Sequence, residues 1–323
     1  MLRIRLIEEG IAELYAEQQM RCPVHLCIGQ EAVSAGVCDV LGADDQVMSS
    51  HRAHGHYLAK GGNLPAMMAE MYGKATGCSG GMGGSMHLID LAAGFVGATP
   101  IVGSTIPISV GLAFASLLRG EPRVVVAFFG EGATEEGTFH EALNFAALKR
   151  LSILFVCENN LYSVYSPLSV RRPAGRPIYR LADGHGIESR QGDGNDVEEV
   201  HALAQEALGQ IRAGAGPMFL EFATYRWREH CGPNFDNRIG YRTEEEFLRW
   251  REQCPVERQR RKGIENGWLS ESDVKGWSDE IRDEFSAAVA FAKASHWPET
   301  RTMLDHVYSA ANSPTVEVGR RAA

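Results

Sequence analysis

Val124-Val125-Val126-Ala127-Phe128-Phe129-Gly130-Glu131-Gly132-Ala133-Thr134 and Ile153-Leu154-Phe155-Val156-Cys157-Glu158-Asn159-Asn160-Leu161-Tyr162 share one pattern, an apolar run rich in β-branched and aromatic residues that ends in glycine, acid or amide. Runs of this kind, bounded by turn residues, read as strands buried on both faces of a parallel sheet. Their polar ends then fall at the sheet's carboxyl edge, where open α/β proteins bind ligands. Glu131, Asn160 and the backbone carbonyl of Tyr162 offer hard oxygen ligands, and the Gly130 and Gly132 amides can approach a phosphate with no side chain in the way. The set suits Mg²⁺ bridging a diphosphate. Taken singly, each feature has a plainer reading, since glycine turns a chain and paired asparagines cap helices. The spacing of the two strand ends is what makes them a site.

Outward from these strands the pattern alternates. Leu2, Leu6, Ile7, Ile11 and Leu14 predict an amphipathic helix ending before Cys22-Pro23, and residues 30–41 predict another. Residues 46–50 predict a strand leading into His51-Arg52-Ala53-His54-Gly55, followed by a glycine-rich loop over 73–84. Residues 103–118 and 134–149 predict helices, the second with Thr134 as its N-cap. Strands over 187–190 and 218–223, with a helix over 197–213 between them, complete an α/β fold, a doubly wound parallel sheet flanked by helices. Segments 166–184 and 226–241 lack a period and are rich in Arg, Pro and Gly, so they are candidate lids. We expect a ligand-binding α/β domain over 1–242, and a helical C-terminal extension over 243–323 that frays from about residue 313.

Composition narrows the class. A net charge of −9 argues against a general nucleic-acid binder. No apolar stretch approaches a membrane span, and the N-terminus runs into a helical pattern without a cleavage site. Seven cysteines with no CxxC pair suit a reduced interior, and the cytoplasm is the expected compartment.

The spacing of the two strand ends resembles the thiamine diphosphate signature, written GDG followed by NN. Most of the chain is similar to the alpha subunits of thiamine-dependent 2-oxo acid dehydrogenases of the pyruvate and acetoin type. The resemblance runs through His25-Leu26-Cys27-Ile28-Gly29-Gln30-Glu31-Ala32, His51-Arg52-Ala53-His54-Gly55-His56, Gly83-Gly84-Ser85-Met86-His87 and Ile101-Val102-Gly103. It continues through Gly137-Thr138-Phe139-His140-Glu141-Ala142-Leu143-Asn144 and Thr224-Tyr225-Arg226.

This resemblance implies thiamine diphosphate and Mg²⁺ as cofactors. It implies Arg52, His51, Val102, Gly130, Gly132, Ala133, Asn160 and His230 against the cofactor, with Glu131, Asn160 and Tyr162 on the metal. It also implies His25 and His230 as the catalytic pair. Three features depart from the family: Glu131 stands where Asp is usual, Arg228-Glu229 precede His230 in a loop that normally reads Tyr-Arg-Tyr-x-Gly-His, and Pro100 stands where glycine is frequent beside the aminopyrimidine pocket, a place where only a backbone carbonyl is needed. The extra charges suit a more polar substrate than acetoin or pyruvate. The family's second thiamine domain carries a glutamate that activates the cofactor's pyrimidine, and too little sequence follows the first sheet here to hold it. A beta subunit in an α₂β₂ assembly is therefore implied. The expected activity is cleavage next to the carbonyl of a 2-oxo acid or acyloin, with acyl transfer to a lipoyl acyltransferase. A two-chain, transketolase-like aldehyde transferase working without lipoamide, and a non-catalytic scaffold subunit, remain open alternatives.

Overall fold

The computed structural model describes residues 1–305 and 307; the expected frayed tail lies outside these. In chain order the strands are β1 (Gln46–Ser49), β2 (Phe95–Ala98), β3 (Val125–Gly130), β4 (Ile153–Asn159), β5 (Tyr162–Ser163), β6 (Ser166–Pro167), β7 (Glu188–Asp193) and β8 (Met218–Ala223). Six of them form one parallel sheet in the order β2-β1-β3-β4-β8-β7, while β5 and β6 form a small antiparallel hairpin.

Alternation along the strands sets the two faces. Val126, Phe128, Leu154, Val156, Leu220 and Phe222 enter one apolar core, and Val125, Ala127, Phe129, Ile153, Phe155 and Phe219 enter the other. Both faces are covered, so the strands need no polar side. Each fully buried Phe or Val contributes about 2–3 kcal/mol relative to exposure, which makes β3 and β4 a rigid base for the loops they deliver. The first core also takes in Ile4, Ile7 and Ile11 from the N-terminal helix (Leu2–Tyr15), and Phe247, Val256 and Ala292 from the C-terminal helices. The helices beyond residue 243 thus close the same core.

The sheet order reverses between β1 and β3, because the chain runs outward to β2 before returning. At such a point neighbouring connections diverge to opposite faces and leave a crevice at the carboxyl edge. His51 and Arg52 leave β1 there, Glu131 leaves β3, and Asn160 leaves β4 one strand further on.

Several local expectations change. Thr134 is not an N-cap: Glu131–Glu135 forms a 3-10 turn in which Thr134 Oγ1 donates to the Glu131 carbonyl at 2.6 Å, and the helix starts at Gly137 with Glu136 as its cap residue. The tight turn uses the hydroxyl that a cap would have needed. The stretch after Arg52 is not all loop, since His54–Ala59 and Leu64–Met71 are helices. Strand β2 carries only four residues, one of them glycine, and its signal is correspondingly weak.

The glycine-rich loop is organised by one buried side chain. The Glu70 carboxylate accepts from the backbone N–H groups of Ser79, Gly81, Gly83 and Gly84 at 2.7–2.9 Å. This network holds the turn that presents Met86 to the cleft described next.

Candidate active site

Every side chain or backbone position expected from the sequence lines one cleft at the switch point: His25, His51, Arg52, Val102, Gly130, Glu131, Gly132, Ala133, Asn160, Tyr162 and His230. The sequence reading overlooked Gln30, Glu158 and Ser163, which line it too.

Gly130 sits at φ −80° and ψ 162°, a conformation open to any residue. Its glycine identity is therefore a matter of space: a Cβ there would meet only the Glu158 carbonyl, at 4.0 Å, and would project into the cleft. The position is a cradle that a side chain would fill, as close approach of a phosphate requires. Gly132 is confined for a different reason, since its Cβ would fall 2.9 Å from Ser163 Oγ.

Glu131 is 2 % exposed, and burial raises its pKa while the Arg171 guanidinium beside it opposes the rise. Arg171 Nη2 lies 2.5 Å from Glu131 Oε1, and Arg171 Nη1 also pairs with Glu135. Asn160 Oδ1 accepts from Tyr162 N at 3.2 Å, and Asn160 Nδ2 donates to Gln30 Oε1 at 3.4 Å. The Tyr162 hydroxyl donates to Glu246 at 2.8 Å. Leu161 (φ 73°) and Val164 (φ 54°) flank it in the left-handed region, a strain of about 1–2 kcal/mol each that β5, β6 and the surrounding contacts hold in place.

Three imidazoles gather in the same cleft. The rings of His25 and His51 are 4.7 Å apart, those of His25 and His230 5.0 Å, and those of His51 and His230 5.3 Å. Burial, then the charge of Arg52, lowers the pKa of His25 to about 2 and those of His51 and His230 to about 3. All three are neutral at physiological pH. His25 Nδ1 is buried with no hydrogen-bond partner among the described residues, so it is available to a group entering the cleft.

Arg52 is 5 % exposed, and its two hydrogen bonds among the described residues go to carbonyls, Nη1 to Leu26 O at 2.5 Å and Nη2 to His230 O at 3.3 Å. Burial, and next the charge of Arg226, lowers its pKa to about 10, which leaves it cationic at neutral pH. A buried cation bonded only to neutral groups is a ready partner for an anion.

The neighbouring His54, His56 and His87 have structural partners. His54 bonds Glu8 Oε1 at 2.5 Å and Ser85 Oγ at 2.6 Å, and His56 stacks on Phe128 and lies 2.8 Å from Ser49 Oγ. His87 bonds the Gly83 carbonyl. Segment 226–241 is pinned by Asp236, which accepts from Tyr241 at 2.5 Å and pairs with Arg226 and Arg242; Arg226 also reaches the Val164 carbonyl at 2.7 Å. Gly29, at φ +100°, lets Trp227 lie against the turn after His25, since a Cβ there would be 2.5 Å from the indole.

An acidic oxygen, an amide and glycine backbones at one strand edge thus share a cleft with a buried arginine and three neutral histidines. Residues 1–301 match the family model for the dehydrogenase E1 component, and the chain belongs to that family. It is 38% identical over 311 residues to the alpha subunit of acetoin:2,6-dichlorophenolindophenol oxidoreductase from Bacillus subtilis (strain 168), covering 95% of this chain and 91% of that one. It is 35% identical over 308 residues to the pyruvate dehydrogenase E1 component subunit alpha of Rickettsia bellii (strain RML369-C), covering 95% and 93% respectively. The corresponding subunit of Rhizobium meliloti (strain 1021) is 37% identical over 308 residues, with 95% and 87% covered. The chain is thus an E1 alpha-type oxidoreductase component, as its six sequence blocks imply. Among the described residues no helix is long and apolar enough to cross a membrane.

Proposed function

We propose that this chain is the alpha subunit of a two-chain thiamine diphosphate-dependent dehydrogenase. It would cleave the bond next to the carbonyl of a 2-oxo acid or acyloin and pass the acyl group to a lipoyl carrier. The observation that carries this reading is the meeting, in one cleft, of the eleven site residues expected from the sequence, His25, His51, Arg52, Val102, Gly130, Glu131, Gly132, Ala133, Asn160, Tyr162 and His230.

The residues fit the cofactor by their chemistry. The Gly130 cradle, the Gly132 and Ala133 backbone, Val102, His51, Asn160, His230 and the cationic Arg52 would hold the cofactor, with Glu131, Asn160 and the Tyr162 carbonyl on Mg²⁺. Bound thiamine diphosphate supplies a carbon nucleophile and an electron sink for cleavage beside a carbonyl. Burial, and next the charge of Arg52, keeps His25 and His230 neutral until an anion enters, and we assign them proton transfer there, His25 through its unpartnered Nδ1. We read residues 1–242 as the cofactor domain and 243–323 as its extension. A beta subunit would supply the pyrimidine-side glutamate in an α₂β₂ assembly, and the cytoplasm suits the seven free thiols.

Native mass spectrometry of the protein captured from its own cells, in Mg²⁺ and thiamine diphosphate, tests the reading. A second chain leaving with bound cofactor is expected, and a lipoyl protein in the same capture identifies the acceptor. Self-association without cofactor would overturn it. Glu131→Ala in the assembled enzyme should abolish thiamine-dependent turnover, whereas an unchanged rate would sink the metal assignment.

A further inference from the structure

The metal carboxylate already has a cationic partner inside the chain. Arg171 approaches from the short helix after β6 (Leu168–Arg171), bonds Glu131 at 2.5 Å and Glu135 through its other terminal nitrogen, and fixes its Nε on the Ser166 carbonyl at 3.1 Å. Its neighbour Arg172 donates to Thr134 Oγ1 in the same 3-10 turn. The Arg171 side chain is only 10% exposed and the Glu131 side chain 2%, so the pair is shielded from water. Ser163 packs over Gly132, so segment 162–172 lies on the loop whose amides face the cleft.

Two cations on one carboxylate repel each other, and strongly so where burial keeps water out. A divalent ion taking Glu131 Oε1 would stand against the guanidinium with little solvent between them. Release of Arg171 would relieve that repulsion, and its planar fork suits an anionic diphosphate oxygen arriving with the metal. Glu135, which is 36% exposed, would remain beside it as a hinge contact.

We infer that Arg171 is a built-in counter-ion of the metal site: it holds Glu131 until a divalent cation displaces it, and then binds the diphosphate, drawing segment 162–172 over the cleft. The inference rests on the proposed function for the identity of the diphosphate, while the competition for Glu131 concerns this chain alone. It also gives the longer Glu131 a physical reason, because the added methylene lets one carboxylate serve either the guanidinium or the metal.

The test uses the full chain assembled with its beta subunit and two readouts other than turnover. Mn²⁺ binding without thiamine diphosphate is followed by electron paramagnetic resonance, and thiamine diphosphate binding at saturating Mg²⁺ by calorimetry. Arg171→Ala should bind Mn²⁺ alone about tenfold more tightly and thiamine diphosphate about tenfold more weakly, each equal to about 1.4 kcal/mol. Glu135→Ala, at a half-exposed site where folding is not at stake, removes one anchor of Arg171 and should tighten Mn²⁺ by a smaller factor. Mn²⁺ affinity that is unchanged or weaker in both variants overturns the inference while leaving the proposed function standing. Wild-type enzyme that binds neither Mn²⁺ nor thiamine diphosphate would overturn both.

Discussion

Arg52 donates to the backbone carbonyl of His230 at 3.3 Å, and so ties the loop after β1 to a segment 178 residues away in the chain. Its other terminal nitrogen holds the Leu26 carbonyl, one residue past His25. One guanidinium therefore sets the positions of both proposed catalytic histidines while keeping its charge in the cleft.

Replacing Arg52 with Lys keeps the charge and removes the fork. A single ammonium cannot bridge both carbonyls in the same geometry, so Arg52→Lys should weaken thiamine diphosphate about tenfold and reduce stability by about 1–2 kcal/mol. Calorimetric titration and thermal unfolding of the variant measure the two effects. Unchanged affinity would make Arg52 a scaffold residue and move the anion contact elsewhere.

His230 offers a cleaner separation. Arg52 holds its backbone carbonyl, and Asp236 with Arg226 and Arg242 pins the rest of the segment, so removing the imidazole should leave the loop in place. His230→Ala is expected to lower kcat about 100-fold or more, the usual scale for losing a proton-transfer group, with the thiamine diphosphate Kd changed less than about threefold. Steady-state kinetics and cofactor titration on one preparation decide it. Loss of cofactor binding instead would show that His230 serves the diphosphate.

The central strands were readable because doubly buried β3 and β4 carry long apolar runs and β8 is interrupted only by Glu221, and a run that ends in Gly130-Glu131-Gly132 or Asn159-Asn160 says where its loop must go. Short β2 was not readable, since four residues with a glycine leave no period to detect. Glu8 was equally hidden: it belongs to the N-terminal helix, yet it is fully buried, bonded to His54 and to the Cys27 amide at 2.6 Å. Only the tertiary partner decides whether such a carboxylate faces water or the core. Arg171 was visible only as part of a segment without a period, because its register depends on the β5–β6 hairpin rather than on any helical or strand repeat. The site residues themselves came through the strand ends and the collinear blocks, and all of them meet in one cleft.

Glu70 is a second place where one carboxylate organises a loop. Four backbone donors from Ser79 to Gly84 converge on it, and it is 1 % exposed. Glu70→Ala strands those donors and should destabilise the protein by about 3–5 kcal/mol, whereas Glu70→Gln retains an acceptor and should cost about half of that. Urea unfolding gives the magnitudes, and hydrogen exchange should show residues 79–84 losing protection first. Equal stability of Glu70→Ala and the wild type would mean the loop is held by other contacts.

The three cleft histidines predict how stability depends on pH. Their folded-state pKa values, about 2 for His25 and about 3 for His51 and His230, lie below the unfolded value near 6.5. Above pH 6.5 neither state is protonated at these sites and their contribution is constant. As the pH falls below 6.5 the unfolded chain takes up protons that the folded chain refuses, so stability is lost progressively toward pH 3. Each histidine adds a slope of at most about 1.4 kcal/mol per pH unit, less for the partly exposed His51 and His230 rings. His51→Tyr removes one of the three titrations and should flatten the fall in unfolding temperature between pH 6.5 and 5, read by calorimetry against the wild type. Bound thiamine diphosphate should also flatten it, because its negative charge beside His25 favours the imidazolium and brings the folded pKa back toward the unfolded one. A wild-type curve already flat across this range would mean that the cleft histidines carry protons in the folded chain, and the neutral proton-transfer roles assigned to His25 and His230 would fall with it.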